Sequence, residues 1–192
     1  MDYIGLSEQE ILRRESLKEL RNLGIEPYPA AEYPVNIYTS DIHENFSDEN
    51  MPERLKSVCL AGRIMSRRIM GNASFAELQD SKGKIQLYFK RDDICPDEDK
   101  TMYNNVFKKL LDIGDIIGVK GYAFRTQMGE ISVHVTEFSI LSKALHPLPI
   151  VKEKDGQVFD AVTDMEMRYR QRYVDLIVNP QVKDVFLKRT KI

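Results

Sequence analysis

A chain of 192 residues with 42% hydrophobic and 30% charged residues has room for one well-packed soluble domain plus an extension. Its formal net charge of −2 excludes nucleic-acid binding by bulk electrostatics, so any such binding has to come from a local patch. Cys59 and Cys95 stand far apart, with no C-x-x-C and no histidine at ligand spacing, which fits two reduced thiols rather than a disulfide or metal site. No apolar run approaches the ~18 residues of a membrane span, and no signal-peptide pattern opens the chain. A cytoplasmic protein with no membrane partner is expected.

In chain order, Ser7 through Glu10 form a capping box that opens a helix ending at Gly24, with Ile11, Leu17 and Leu20 inward. Its other faces carry Arg13, Arg14, Lys18 and Arg21, which read either as a solvated face or as help in holding a polyanion. Residues 25–53 hold Pro27, Pro29, Pro34 and Pro52 and form a connector with one short helix near Asp41 to Phe46. From Lys56 the texture becomes β, with strands over about 57–69, 73–80 and 84–91, a helix over about 100–112, and strands over about 115–125 and 130–141. The helix presents Met102, Val106, Phe107, Leu110 and Leu111 at helical spacing and stops at Gly114.

Three strands, a helix and two strands give the order of a five-stranded Greek-key barrel of the OB type, within a mainly β fold flanked by helices. The parts are an N-terminal helix and connector (1–54), the barrel (55–145) and a C-terminal helical linker (146–192). After the proline-rich His146-Pro147-Leu148-Pro149, Thr163 or Asp164 can cap a helix to about Val178, with Tyr169, Tyr173 and Leu176 on one face beside Arg168 and Arg172. Asn179-Pro180 breaks it, and a last amphipathic helix starts near Gln181 and is still in mid-pattern at Ile192, as expected of the front portion of a longer protein.

One side chain is out of phase with its own strand's core. Alternation puts Ala76 and Leu78 on one face and Phe75 with Glu77 and Gln79 on the other. The next strand repeats this, with Ile85, Leu87 and Phe89 opposite Gln86, Tyr88 and Lys90. Residues 55–72 carry Lys56, Arg63, Arg67 and Arg68 and no acid, whereas residues 92–99 hold five acids and no base. An aromatic, an amide and guanidiniums on one wet face are suited to unpaired nucleotides: Phe75 for stacking, Gln86 for a pyrimidine edge, Arg67 and Arg68 for phosphates. The pattern alone equally admits a Phe75 covered by the N-terminal helix or a loop. In the last strand Glu130, Ser132 and His134 share the face opposite Ile131, Val133 and Val135. Glu130 is able to accept a hydrogen bond from a base, and His134 reads as a hydrogen-bonded surface residue. No phosphate loop, nucleophile elbow, zinc signature or catalytic carboxylate pair is present, so no catalytic, cofactor or metal residue is assigned.

The segments GRIMSRRIMGNASFAELQDSKGKIQLYFKRDD (Gly62 to Asp93), RTQMGEISVHV (Arg125 to Val135) and RYRQRYVDL (Arg168 to Leu176) resemble the anticodon-binding part of class II lysyl-tRNA synthetases. Arg67 to Gly71 leading into Ala73-Ser74-Phe75 favours the lysine enzymes over their aspartate and asparagine relatives. The resemblance runs nearly the whole chain. It implies that Phe75 stacks on the central uridine of the tRNA(Lys) anticodon, that Arg67, Arg68 and Gln86 hold that base, and that Glu130 contacts an adjacent one. It also implies a homodimeric full-length enzyme that uses ATP and Mg2+ to join lysine to tRNA, through motifs beyond Ile192; this chain alone is expected to be inactive. Asn72 stands where the family usually has lysine. The competing expectations are a stand-alone single-stranded nucleic-acid-binding module or an aspartyl- or asparaginyl-tRNA synthetase relative.

Overall fold

The computed structural model describes residues 5–149, 152–154, 157–159 and 165–192. Helix α1 (Glu8–Asn22) starts at the expected capping box: the Ser7 backbone N–H donates to the Glu10 carboxylate at 2.9 Å, and the Glu10 N–H donates back to the Ser7 hydroxyl at 3.4 Å. The Ser7 backbone N–H is the main reason that the Glu10 pKa falls from 4.5 to about 2, with the Ser7 hydroxyl and His146 adding to it. Because the folded pKa is the lower one, this contribution is complete above the unfolded value of 4.5 and disappears as pH falls toward about 2. We expect the thermal midpoints of the native chain and Glu10→Gln, compared by circular dichroism, to differ at pH 6 and to converge as pH approaches 2. A gap that persists at the acid end would contradict the cap.

Leu20 is fully buried on the inner face of α1, as its spacing predicts. Arg13 corrects the expectation of a solvated basic face. It is only 5% exposed, and its guanidinium donates to the carbonyls of Ile113 (2.8 Å) and Ala144 (2.9 Å). It therefore ties α1 to the end of the barrel and is not placed to hold a polyanion. The connector carries α2 (Thr39–Asn45), whose first turn accepts the Asp80 carboxylate: the Thr39 N–H and hydroxyl donate to it at 2.7 and 2.9 Å. Tyr33 also lies flat on Gly118, where a Cβ would sit 2.3 Å from the ring, so only glycine leaves room for it.

The barrel is built from β1 (Val58–Met70), β2 (Ala73–Gln79), β3 (Lys84–Lys90), β4 (Ile116–Arg125) and β5 (Ile131–Ser142). Their order, β1-β2-β3-β5-β4 with β4 returning to β1, closes the sheet as the OB topology requires. All pairs are antiparallel except β3 with β5. Leu60, Ile64, Leu78, Leu87, Phe89, Ile117, Val119, Val133 and Val135 alternate inward and are essentially inaccessible to water. Burial of each such side chain stabilises the fold by about 1.5–3 kcal/mol. A short helix α3 (Arg91–Ile94) follows β3.

The helix expected over 100–112 is present but wound differently: Met102–Leu110 is a π-helix, and the Leu111 N–H donates five residues back to the Val106 carbonyl at 2.9 Å. Tyr103, which stands three and four residues before Val106 and Phe107 but is not among the inward positions expected from the sequence, is buried with them and bonds the Ser74 hydroxyl at 2.8 Å. This helix plugs one end of the barrel, with Phe107 stacked on Phe89 at a centroid distance of 4.2 Å. Beside it, the fully buried Asp115 binds the Lys143 ammonium at 2.8 Å and accepts the backbone N–H groups of Asp112 (2.7 Å) and Ala144 (2.8 Å).

The structure divides into two compact units, Met1–His146 and Pro147–Ile192. In the second, β6 (Lys152–Lys154) and β7 (Gln157–Phe159) pair as a small hairpin that the sequence reading does not predict. The expected caps Thr163 and Asp164 lie outside the described residues. The single helix expected to Val178 is instead α4 (Met165–Arg170) and α5 (Arg172–Val178), which meet at Gln171. Asp175 is buried there between the guanidiniums of Arg168 (3.0 Å) and Arg172, and the Asn179 amide donates to it at 2.6 Å. Helix α6 (Pro180–Lys191) begins with Pro180 at its first turn, where no intrahelical N–H is needed.

Candidate nucleic-acid interface

The register across β1, β2, β3 and β5 decides which outward side chains meet. Phe75 on β2 faces Arg68 on β1 and Tyr88 on β3, and Tyr88 in turn faces His134 on β5. The neighbouring row runs Ser66, Glu77, Gln86 and Ser132. The phases of Phe75 and Gln86 are therefore those that strand alternation predicts. Helix α1 packs on the π-helix. Phe75 is only partly buried and lines an open groove of about 480 Å³, among side chains that include Arg68, Gln86 and Glu130. Of the two readings that the pattern admits, the structure favours the open one.

The two arginines part company. A β-bulge between Ile64 and Ser66 shifts the phase of β1. Counting by twos from the buried Ile64 would send Arg67 outward; the bulge sends Arg68 there instead. Arg68 lies over the Phe75 ring at 5.7 Å, a cation–π contact on the exposed face. Arg67 pairs with Ala76, also lines the groove, and turns its guanidinium to the Phe107 carbonyl, with the Phe107 ring 5.8 Å away. Burial pushes the Arg67 pKa down, against the upward pull of Asp112 and Asp115. An arginine nonetheless stays charged in proteins, so Arg67 is a fixed positive charge at the groove floor.

Gln86 and Glu130 are joined directly: the amide Nε2 donates to Glu130 Oε2 at 2.6 Å, and the Ser132 hydroxyl donates to the amide Oε1 at 3.1 Å. The turn that carries Glu130 is fixed by Arg125, which donates to the Gly129 carbonyl at 2.8 Å, pairs with Asp48 at 2.7 Å and covers Phe46 at 5.1 Å.

Sequence reasoning misses three contributors. His43 forms one wall, bonding the Lys84 carbonyl at 3.0 Å; since a carbonyl only accepts, Nε2 carries the proton. Its signal is absent from any strand pattern because long-range contacts, the Thr39–Asp80 clasp and the buried Ile42 among them, bring α2 to the groove. Tyr88 and Phe124 extend the aromatic surface, with Tyr88 5.2 Å from Phe75 and 5.9 Å from Phe124. Their outward phase is a signal that alternation does hold. His134 is a hydrogen-bonded surface residue as expected, between Asp93 at 2.7 Å and Tyr122 at 3.0 Å. Asn72 accepts hydrogen bonds from Arg91, through its backbone carbonyl at 2.9 Å and its side chain at 3.0 Å, so it tethers the β1–β2 turn.

Among the described residues no group of three or more His, Cys, Asp and Glu side chains is arranged to hold a metal ion. Cys59 and Cys95 are free and buried, and no described helix is long and apolar enough to cross a membrane.

A closed five-stranded barrel in this strand order is an OB fold, and residues 58–141 match the family profile described as an OB-fold nucleic acid binding domain. The chain as a whole corresponds to the N-terminal third of lysine–tRNA ligases. It is 67% identical over 193 residues to "Lysine--tRNA ligase" of Porphyromonas gingivalis strain ATCC BAA-308 / W83, covering 100% of this chain and 33% of that protein. It is 61% identical to the enzyme of that name from Azobacteroides pseudotrichonymphae over 97% of this chain and 37% of the relative, and 58% identical to that from Christiangramia forsetii over 97% and 32%. The chain thus spans about a third of the length of these relatives.

Proposed function

We propose that the barrel binds the anticodon loop of tRNA(Lys) in this groove, as the anticodon-recognising part of a lysine–tRNA ligase. The observation that carries this reading is the convergence of Arg68, Phe75, Gln86 and Glu130 on one open face. Phe75 stacks on the central base, Gln86 reads its edge, and Glu130 offers its second oxygen to an adjacent base. Arg68 meets phosphate from the rim, and Arg67 adds its held charge from below. In the whole protein, the segment 1–54 braces the barrel (55–145), and 146–192 leads toward the part that activates lysine with ATP and transfers it to tRNA, in a cytoplasmic homodimer. The identity to lysine–tRNA ligases along the entire chain supports these assignments.

Gln86 gives the test. In fluorescence anisotropy with anticodon stem-loops that differ only at the central base, Gln86→Ala lowers the preference for uridine by about 1–3 kcal/mol, the value of one good amide–base pairing. Equal losses for all four bases would contradict a reading role and point to a sequence-tolerant single-strand binder.

A further inference from the structure

We propose that Ser132 and Glu130 lock the Gln86 amide in one of its two flips, and that this lock lets the groove separate uracil from cytosine. The inference rests on the reading of the groove as a pyrimidine site and concerns how its amide is made selective. An amide is a poor discriminator when free, because a half-turn exchanges its N–H and C=O ends. Uracil and cytosine differ by that same exchange: uracil presents N3–H beside the O4 acceptor, and cytosine the N3 acceptor beside the N4 amino group. A rotatable glutamine serves both. A fixed one serves only the base whose order matches.

The chemistry of the neighbours permits one flip. The end of Gln86 that lies 2.6 Å from Glu130 Oε2 has to be the NH2, because an ionised carboxylate only accepts. The other end, Oε1, then needs a donor, and the Ser132 hydroxyl stands 3.1 Å from it. The alternative acceptor for that hydroxyl, the Glu130 carbonyl, is farther at 3.4 Å. Ser132 is fully buried, so water does not compete for its single hydrogen. Two neighbours on β5 and the turn before it therefore hold opposite ends of one amide on β3. Each leaves it half its capacity: one N–H and one oxygen lone pair stay free on a side chain that lines the groove. Ser132 is a positioning residue that never touches the base, and Glu130 gains a second duty besides its own base contact.

The test measures the ratio of affinities of the full 192-residue chain for stem-loops with uridine or cytidine at the central position. The native chain prefers uridine by about tenfold or more, as one bidentate pairing allows. Ser132→Ala and Glu130→Gln each release the flip and bring the ratio to about threefold or less. In a Gln86→Ala background, adding Ser132→Ala leaves the ratio unchanged, which a merely structural role for Ser132 would not produce. Glu130 is exposed, so its variant folds even if the Ser132 variant does not. Full uridine preference retained in either folded variant overturns the lock while leaving the groove's assignment standing. A native chain that binds neither loop overturns both.

Discussion

Phe75→Ala weakens binding of a uridine-centred anticodon stem-loop by about 1–3 kcal/mol, the cost of one lost base stack. The ring lines the open groove, is flanked by the tilted Tyr88 ring at 5.2 Å and carries the Arg68 guanidinium over it at 5.7 Å. Those neighbours hold it in place before a base arrives, so little ordering is needed on binding. The loss is similar for any central base, since every base has a face to stack, and this distinguishes it from the base-selective loss at Gln86. The core side chains of β2, Ala76 and Leu78, point the other way, so the variant keeps the thermal midpoint of the native chain to within a few degrees. Anisotropy titrations on a folded variant that show unchanged affinity would contradict the stacking role.

The largest effect on stability is expected from Asp115→Ala. Asp115 and the Lys143 side chain are both fully buried, and the carboxylate also accepts two backbone N–H groups where β4 begins and β5 ends. Burial raises the Asp115 pKa and the Lys143 charge opposes that rise. Removing the carboxylate leaves the ammonium with only Asp112, which is partly open to solvent, and strands two partly buried backbone donors. Breaking such a buried pair costs about 3–5 kcal/mol. By contrast, Lys120→Ala dissolves the exposed pair with Glu137 and costs about 1 kcal/mol at most. Urea denaturation distinguishes them, and an Asp115→Ala loss as small as that of Lys120→Ala would refute the buried pair's importance.

What was legible in the sequence follows from where local pattern and tertiary structure agree. Regular alternation in β2 and β3, joined by a tight turn, gives the outward phase of Phe75 and Gln86 correctly. Alternation fails at one place in β1, because the bulge after Ile64 inserts a residue that no hydrophobic pattern marks; Arg67 and Arg68 therefore look equivalent and are not. The π-winding of Met102–Leu110 leaves no mark in the hydrophobic spacing, whereas Tyr103 does, three and four residues before Val106 and Phe107. Arg13 looks like surface because the two carbonyls that bind it lie some hundred residues downstream. His43 is hidden for the same reason, since the Thr39–Asp80 clasp and the burial of Ile42 bring α2 to the groove from outside the strands. The barrel's closure between β1 and β4 is likewise a long-range pairing that the element order suggests but does not contain.

On a chain of net charge −2, the proposed groove has to select one tRNA by its bases. Titrating the purified chain with tRNA(Lys) and with tRNAs of other anticodons across a salt series tests it most directly. We expect tRNA(Lys) to bind more tightly at every salt concentration, with a preference that survives as the shared phosphate attraction is screened. Equal affinity for all tRNAs, lost together as salt rises, would contradict it.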